Sequence, residues 1–159
     1  MQKRFEARSL DARDVEVFRA RLRALVRHLH HLEQHRDLSG EALPPSYAQA
    51  LIVLLGFHAR EDQPTLSALV ELLDIDKSNV TRLCQKMERA GHICITRDPN
   101  DRRAKRIALS DVGLALADHI NTASLDRLQL VLSRLSDAER VNVVEALELL
   151  QEQLNAPLA

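Results

Sequence analysis

The sequence is poor in the residues that build most catalytic, cofactor and metal sites. Its 159 residues include no tryptophan, one tyrosine, three phenylalanines, four glycines and two cysteines. Two cysteines, Cys84 and Cys94, are too few for a disulfide framework and cannot by themselves complete a structural zinc site, so both are expected as buried, reduced thiols. Gly40, Gly56, Gly91 and Gly113 stand singly, which excludes a phosphate-cradling glycine loop, and no coherent pairing of nucleophile and base is present. No enzyme activity and no cofactor are expected. No apolar run approaches the roughly 18 residues of a membrane span, and the N-terminal MQKRFEARSLDARD lacks the apolar centre of a signal peptide. These absences, with 45% hydrophobic and 28% charged residues, predict one ordinary globular domain in the cytoplasm.

Charge is present but unevenly placed. Between Asp76 and Arg106 there are nine Lys or Arg against four Asp or Glu, a net of +5, while the rest of the chain carries a net of −6. Segregation of this kind is the electrostatic footprint of nucleic-acid binding on one part of an otherwise acidic body. Residues 92 to 110, HICITRDPNDRRAKRIALS, concentrate it. His92, Cys94 and Thr96 alternate with Ile93 and Ile95, and Ile107 and Leu109 alternate with Arg106 and Ala108, so two short strands are predicted. Pro99 presets φ for a turn that Asp98 and Asn100 favour. Arg102, Arg103, Lys105 and Arg106 crowd the tip, where mutual repulsion calls for an anionic partner.

Helical periodicity organises the rest. Phe18, Leu22, Leu25, Val26, Leu29 and Leu32 form one stripe on a helix from Asp14 to about Arg36. DLSGEALPP reads as a connector, after which Ser46 with Gln49 resembles a capping box opening a second helix. Leu66 to Leu73 make a short third helix, Asp74 to Asp76 a tight link, and Lys77 to about Ala90 a fourth helix stopped by Gly91. Helix, turn, helix and basic hairpin in that order predict a winged helix. Ser110 caps a long helix with a weak middle at Asn121 to Ser124, where a kink is expected, and Ser136 with Glu139 opens the last one. The fold class is therefore mainly α with a small β-hairpin wing: residues 46–110 form a winged helix-turn-helix, and residues 1–45 and 111–159 supply long terminal helices. The terminal stripes exceed what a small core could cover, which predicts a homodimer.

With Val80, Leu83, Cys84 and Met87 facing the core, the fourth helix turns Ser78, Arg82, Gln85 and Arg89 outward, flanked by Asn79, Thr81 and Lys86. Hydrogen-bonding side chains along one helix face suit the major groove of duplex DNA. Here the chain resembles the MarR family of winged-helix transcriptional regulators. LSALVELLDIDKSNVTRLCQKMERAGHI is similar to that family's DNA-binding helices, and RDPNDRRAKRIALSDVG to its wing, with Asp-x-Arg at Asp101 and Arg103 and a Leu-Ser-x-x-Gly exit. The resemblance implies a DNA-binding homodimer on a near-palindromic site, with repression relieved by a small effector. It implies that Arg103 enters the minor groove with Asp101 as its orienting partner. Lys77, Ser78, Asn79, Thr81, Arg82, Gln85 and Lys86 would serve the major groove, and Arg102 and Lys105 phosphates. Asp74 stands where the family often has glycine, and Asp tolerates the left-handed conformation that this turn needs.

The effector implied by the family is a phenolic or aromatic carboxylate compound held between the terminal helices and the winged helix, with Tyr47 and His58 as candidate stacking rings. His28, His31 and His35 would share one face of the first helix, and His31 with His35 has the i, i+4 spacing of a metal pair that His119 or Glu33 could complete. The plainer reading leaves these histidines as titrating surface groups and expects no metal. Two other readings stay open: a metal-responsive regulator, and a winged helix used only for protein contacts.

Overall fold

A computed structural model describes residues 11–32, 35–98, 101 and 104–156, and the side chains of residues 30–34 are excepted. The chain divides into two compact units, residues 1–34 and residues 35–159.

The first unit carries helix α1 (Ala12–Leu32). It is opened by a reciprocal cap in which the Asp11 carboxylate accepts the Asp14 N–H at 2.9 Å and Asp14 accepts that of Asp11 at 3.3 Å. Phe18, Leu25 and Val26 on its apolar stripe are 51%, 45% and 56% exposed.

The predicted extension of this helix to Arg36 is corrected. Asp37 captures the backbone N–H groups of Ser39 and Glu41 and the Ser39 hydroxyl, Gly40 takes φ +91°, and Arg36 pairs with Ala42. A side chain that bonds nearby backbone offers the chain a turn in place of a helix. The same Ser39 hydroxyl, with those N–H groups, holds the Asp37 carboxyl below its ordinary pKa. His35 is thus off the helix, buried at 7% exposure, with Arg127 Nη2 3.4 Å from its Nδ1. No i, i+4 helical pair of His31 and His35 exists, and the side chain of His31 lies outside the described residues.

The second unit continues with α2 (Pro45–His58), α3 (Leu66–Leu73), α4 (Lys77–Arg89), β1 (Ile93–Arg97), β2 (Lys105–Leu109), α5 (Asp111–Leu132) and α6 (Asp137–Asn155). Helix α2 starts one residue before Ser46, and no side chain caps it. Pro45 at its first position has φ preset and no N–H to leave unpaired, and the Pro44 carbonyl takes the N–H groups of Tyr47 and Ala48, so the Ser46 and Gln49 capping box is not needed. Tyr47, Ala48, Ala50, Leu51 and Leu54 make α2 the centre of the core, joined by Leu69, Val80, Met87, Ile93, Ile107, Leu116 and Ile120. Burying each large aliphatic side chain contributes about 1.5–3 kcal/mol.

Thr65 caps α3 through the Ala68 N–H, and Asp74 ends it in the left-handed region at φ 51°. Asp76 stands at the N-cap of α4 but makes no backbone cap, bonding the Asn79 amide at 3.5 Å instead. Gly91, at φ +73°, stops α4. The strands pair antiparallel, with Ile93 opposite Leu109, Ile95 opposite Ile107 and Arg97 opposite Lys105.

Ser110 joins wing to helix. Its hydroxyl donates to the Gly91 carbonyl at 2.5 Å and accepts the Gly113 N–H at 3.0 Å. Gly113 is forced by close approach, because a Cβ there would lie 1.8 Å from the His92 carbonyl oxygen. Helix α5 runs unbroken through Asn121–Ser124, where a kink was expected, and leaves Leu135 in the link to α6. Neighbouring turns carry α5 through that weak stretch, since local propensity yields to packing. Gly113, Leu116, Ala117 and Ile120 of α5 enter the winged-helix core, whereas α6, opened by the Ser136 and Glu139 capping box, buries nothing.

Candidate nucleic-acid interface

Helix α4 separates its two faces cleanly. Val80, Leu83, Cys84 and Met87 are buried, while Lys77, Ser78, Asn79, Arg82, Gln85, Lys86 and Arg89 are exposed and Thr81 is half-buried. The 100° step per residue makes this division automatic once the apolar stripe is seated. Local bonds stiffen the row: the Thr81 hydroxyl donates to the Lys77 carbonyl at 2.7 Å, and Arg89 Nε to that of Gln85 at 3.1 Å. Lys86 Nζ sits 5.7 Å from the centre of the Tyr47 ring, close enough for a cation–π attraction.

The wing meets the expectation only in part. Arg102, Arg103, Pro99 and Asn100 lie outside the described residues. Lys105 is exposed. The exposed Asp101 donates its N–H to the Asp98 carboxylate at 3.2 Å, and its carbonyl accepts from Ala104 at 2.9 Å, which shapes the turn. Arg106 is not a tip cation. Its Nε donates to the Asp98 carboxylate at 2.6 Å and its Nη1 to the Gln63 carbonyl at 3.2 Å, with Asp62 3.7 Å away. Asp98 is 6% exposed. Arg106 therefore ties the hairpin to the loop before α3, helped by the Ile107 N–H on the Pro64 carbonyl.

Other candidates move apart. Tyr47 is a core residue at 3% exposure, and burial pushes its phenol pKa up. Its hydroxyl shares a 2.5 Å hydrogen bond with His92 Nδ1, the rings meeting edge to face. His58 is exposed at the far end of the same helix, about 16 Å along its axis at 1.5 Å per residue, so the two rings do not line one pocket. Cys94 is exposed, not buried, because the strand alternation that points Ile93 inward turns it outward. Cys84 is buried, and that burial, with the Glu88 carboxylate nearby, pushes its thiol up to about 11. Among the described residues no three His, Cys, Asp or Glu side chains are grouped to hold a metal, and no helix is long and apolar enough to cross a membrane.

Sequence reasoning missed two elements of this surface, the Asp98–Arg106 tie and the placement of Arg97 on the inner face of the hairpin. Both depend on strand register, which the alternation of Ile93, Ile95, Ile107 and Leu109 could have indicated.

The winged helix with an exposed polar row on its second helix also matches known proteins. Residues 43–104 match the sequence model of the MarR family. Over these residues the chain is similar to the MarR family. A Thauera aromatica protein named for transcriptional regulation of the hcr operon is 31% identical over 87 residues. That match covers 55% of this chain and 52% of the relative, so the chain spans about half the length of the curated relative it matches. A MarR family transcriptional regulator from Streptomyces coelicolor, solved in complex with DNA, superposes with a TM-score of 0.72 at 22% identity, covering 96% of this chain and 94% of that one. BpsR of Bordetella bronchiseptica, solved to explain regulation of its DNA binding by 6-hydroxynicotinic acid, gives a TM-score of 0.61 at 24% identity over 86% of this chain and 98% of that one. These structures share the fold of this chain.

Proposed function

We propose that this chain is a homodimeric, sequence-specific DNA-binding regulator that represses transcription until a small effector releases it. The observation that carries the reading is the exposed row of α4, where Lys77, Ser78, Asn79, Arg82, Gln85 and Lys86 stand opposite a fully seated apolar face. Ser78, Asn79 and Arg82 enter the major groove first, and Arg82 can make a bidentate contact to guanine. Arg103, oriented by Asp101, reaches the minor groove from the wing, while Arg102 and Lys105 meet phosphates.

Dimerisation is supported by apolar side chains that the single chain leaves bare: Val141, Val144 and Leu147 on α6 are each more than half exposed. In this reading residues 1–45 and 111–159 supply the dimer surface and 46–110 the DNA-binding region. A twofold dimer sets its two recognition helices about 34–36 Å apart, so the operator is a near-palindrome. The effector class, an aromatic carboxylate, is supported by the 6-hydroxynicotinic acid that acts on BpsR, and the protein works in the cytoplasm.

Fluorescence anisotropy with operator and random duplexes tests the reading. Wild type binds both with an affinity that falls steeply with added salt, since phosphate contact releases counterions. Arg82→Ala weakens operator binding by roughly ten- to a hundredfold, the worth of one good base contact, and leaves random-duplex binding little changed. Absence of salt-dependent duplex binding by the wild-type dimer overturns the function in favour of a protein-contact module.

A further inference from the structure

Tyr47 is the one tyrosine of the chain, and it stands in the core with 3% of its surface exposed. Phenylalanine or leucine would fill that space with no hydroxyl to satisfy, and a buried hydroxyl is costly unless it is bonded. His92 Nδ1 supplies the bond. The backbone in turn fixes His92, whose N–H donates to the Met87 carbonyl at 2.9 Å and whose carbonyl accepts the Ser110 N–H at 3.1 Å. The phenol is thus pinned at its tip from the base of the wing, with the two rings at 89°. Over the pinned ring lies Lys86 Nζ of α4, 5.7 Å from its centre.

Tyr47 and Lys86 also line a hollow of about 380 Å³ between the start of α2 and α4. Asn79, Arg82 and Lys86, spaced by three and four residues, wall it on the α4 side, and Ser46 lines it from α2. Among the described residues that line it there is no carboxylate, so Arg82 and Lys86 give it a net charge of +2. Neither makes an ion pair among the described residues. A free lysine side chain loses much rotamer freedom when its ammonium is fixed on a partner. A ring that already holds the ammonium lowers that loss.

We propose that this hollow seats one backbone phosphate of duplex DNA, held by Lys86 and the Ser46 hydroxyl, and that Tyr47 is the residue that positions Lys86 over it. Arg82, farther along the wall, stays free for a base. Both roles rest on the DNA-binding reading and refine it, because a phosphate contact fixes register on the duplex without reading sequence. Tyr47 touches no DNA and acts through Lys86.

Anisotropy with operator and random duplexes, at several salt concentrations and below the melting transition of each variant, tests this. Lys86→Met should weaken both duplexes by the same factor and lower the salt slope by about 0.9, the mark of one lost phosphate. Tyr47→Phe keeps the ring and should bind within about twofold of wild type, whereas Tyr47→Leu should lose about two- to fivefold, the worth of an exposed cation–π contact. In the double variant Tyr47→Leu/Lys86→Met, the change at Tyr47 should add nothing to the loss from Lys86→Met. Proton NMR of the DNA-free protein checks the geometry itself: ring current should move the Lys86 Cε protons upfield in wild type and Tyr47→Phe but not in Tyr47→Leu. Losses that multiply in the double variant, unequal effects of Lys86→Met on the two duplexes, or Lys86 protons unmoved across the three proteins overturn the positioning role and leave DNA binding standing. A wild type that binds no duplex overturns both.

Discussion

Replacing Arg106 by methionine distinguishes a cation that binds DNA from one that holds the wing in place. The Asp98 carboxylate is 7% exposed and the Arg106 side chain 32% exposed, and they meet at 2.6 Å. Removing one partner of a fully buried ion pair costs about 3–5 kcal/mol, and a hydrogen bond to a charged group contributes about 1.5–3 kcal/mol. Arg106 keeps a third of its side chain in water, so the lower range applies, and about 2–3 kcal/mol is expected. At roughly 2–4 °C per kcal/mol for a chain of this size, the melting temperature falls by about 4–12 °C. Thermal and urea denaturation of wild type, Arg106→Met, Asp98→Asn and the double variant provide the cycle. The two single losses should exceed additivity by more than about 1 kcal/mol, since the residues touch. Arg106→Met that melts like wild type while the salt slope of duplex binding drops by about 0.9 per lost phosphate contact would refute the tie and return Arg106 to the DNA surface.

Gly113→Ala places a methyl group 1.8 Å from the His92 carbonyl oxygen; a backbone shift of the wing exit is needed, and a loss of about 3 kcal/mol or more is expected in urea melts despite alanine's better helix propensity, with unchanged stability refuting the contact. Thiol labelling of the native protein at pH 8 should modify Cys94 rapidly and Cys84 only on unfolding. A Cys84 pKa of about 11 leaves roughly one thiolate in a thousand at that pH. Two equally fast thiols, or a fast phase that survives Cys94→Ser, would contradict it. The Ser136 backbone N–H and hydroxyl hold the Glu139 carboxyl below its ordinary 4.5. A carboxyl with a depressed folded pKa contributes above the unfolded value and loses that contribution as pH falls through the folded one. Ser136→Ala should therefore be less stable than wild type at pH 7, with the difference narrowing below about pH 4.5; a gap that is constant to pH 3 would exclude the carboxylate from the cap.

Where a single side chain decides a boundary, the chemistry was legible. Gly91 stops α4, Ser110 and Ser136 open α5 and α6, and Asp74 accepts the left-handed turn that its position demands. The exposed row of α4 followed from the spacing of Val80, Leu83, Cys84 and Met87 alone. The errors share another origin. Extending the first helix to Arg36 continued a periodicity into the segment that the Asp37 turn draws out of the helix, since periodicity reports which residues could share a face but not whether the helix lasts. Reading Pro44 and Pro45 as loop ignored that proline at the first helical position starts a helix as readily as it ends one.

The basic run from Arg102 to Arg106 misled for a related reason. Counting cations along a sequence treats them as one cluster, but in a strand successive side chains point to opposite faces. Lys105 is paired with Arg97 across the hairpin, and Arg106, one residue on, turns the other way to Asp98 and the Gln63 carbonyl. The same +5 segment therefore divides into charge offered to a partner and charge consumed in holding the hairpin. Net charge marked the candidate surface, but only strand register tells which cations remain available there. A salt slope worked from all four tip cations would accordingly overstate the wing's share of DNA binding by the contact that Arg106 has already spent on Asp98.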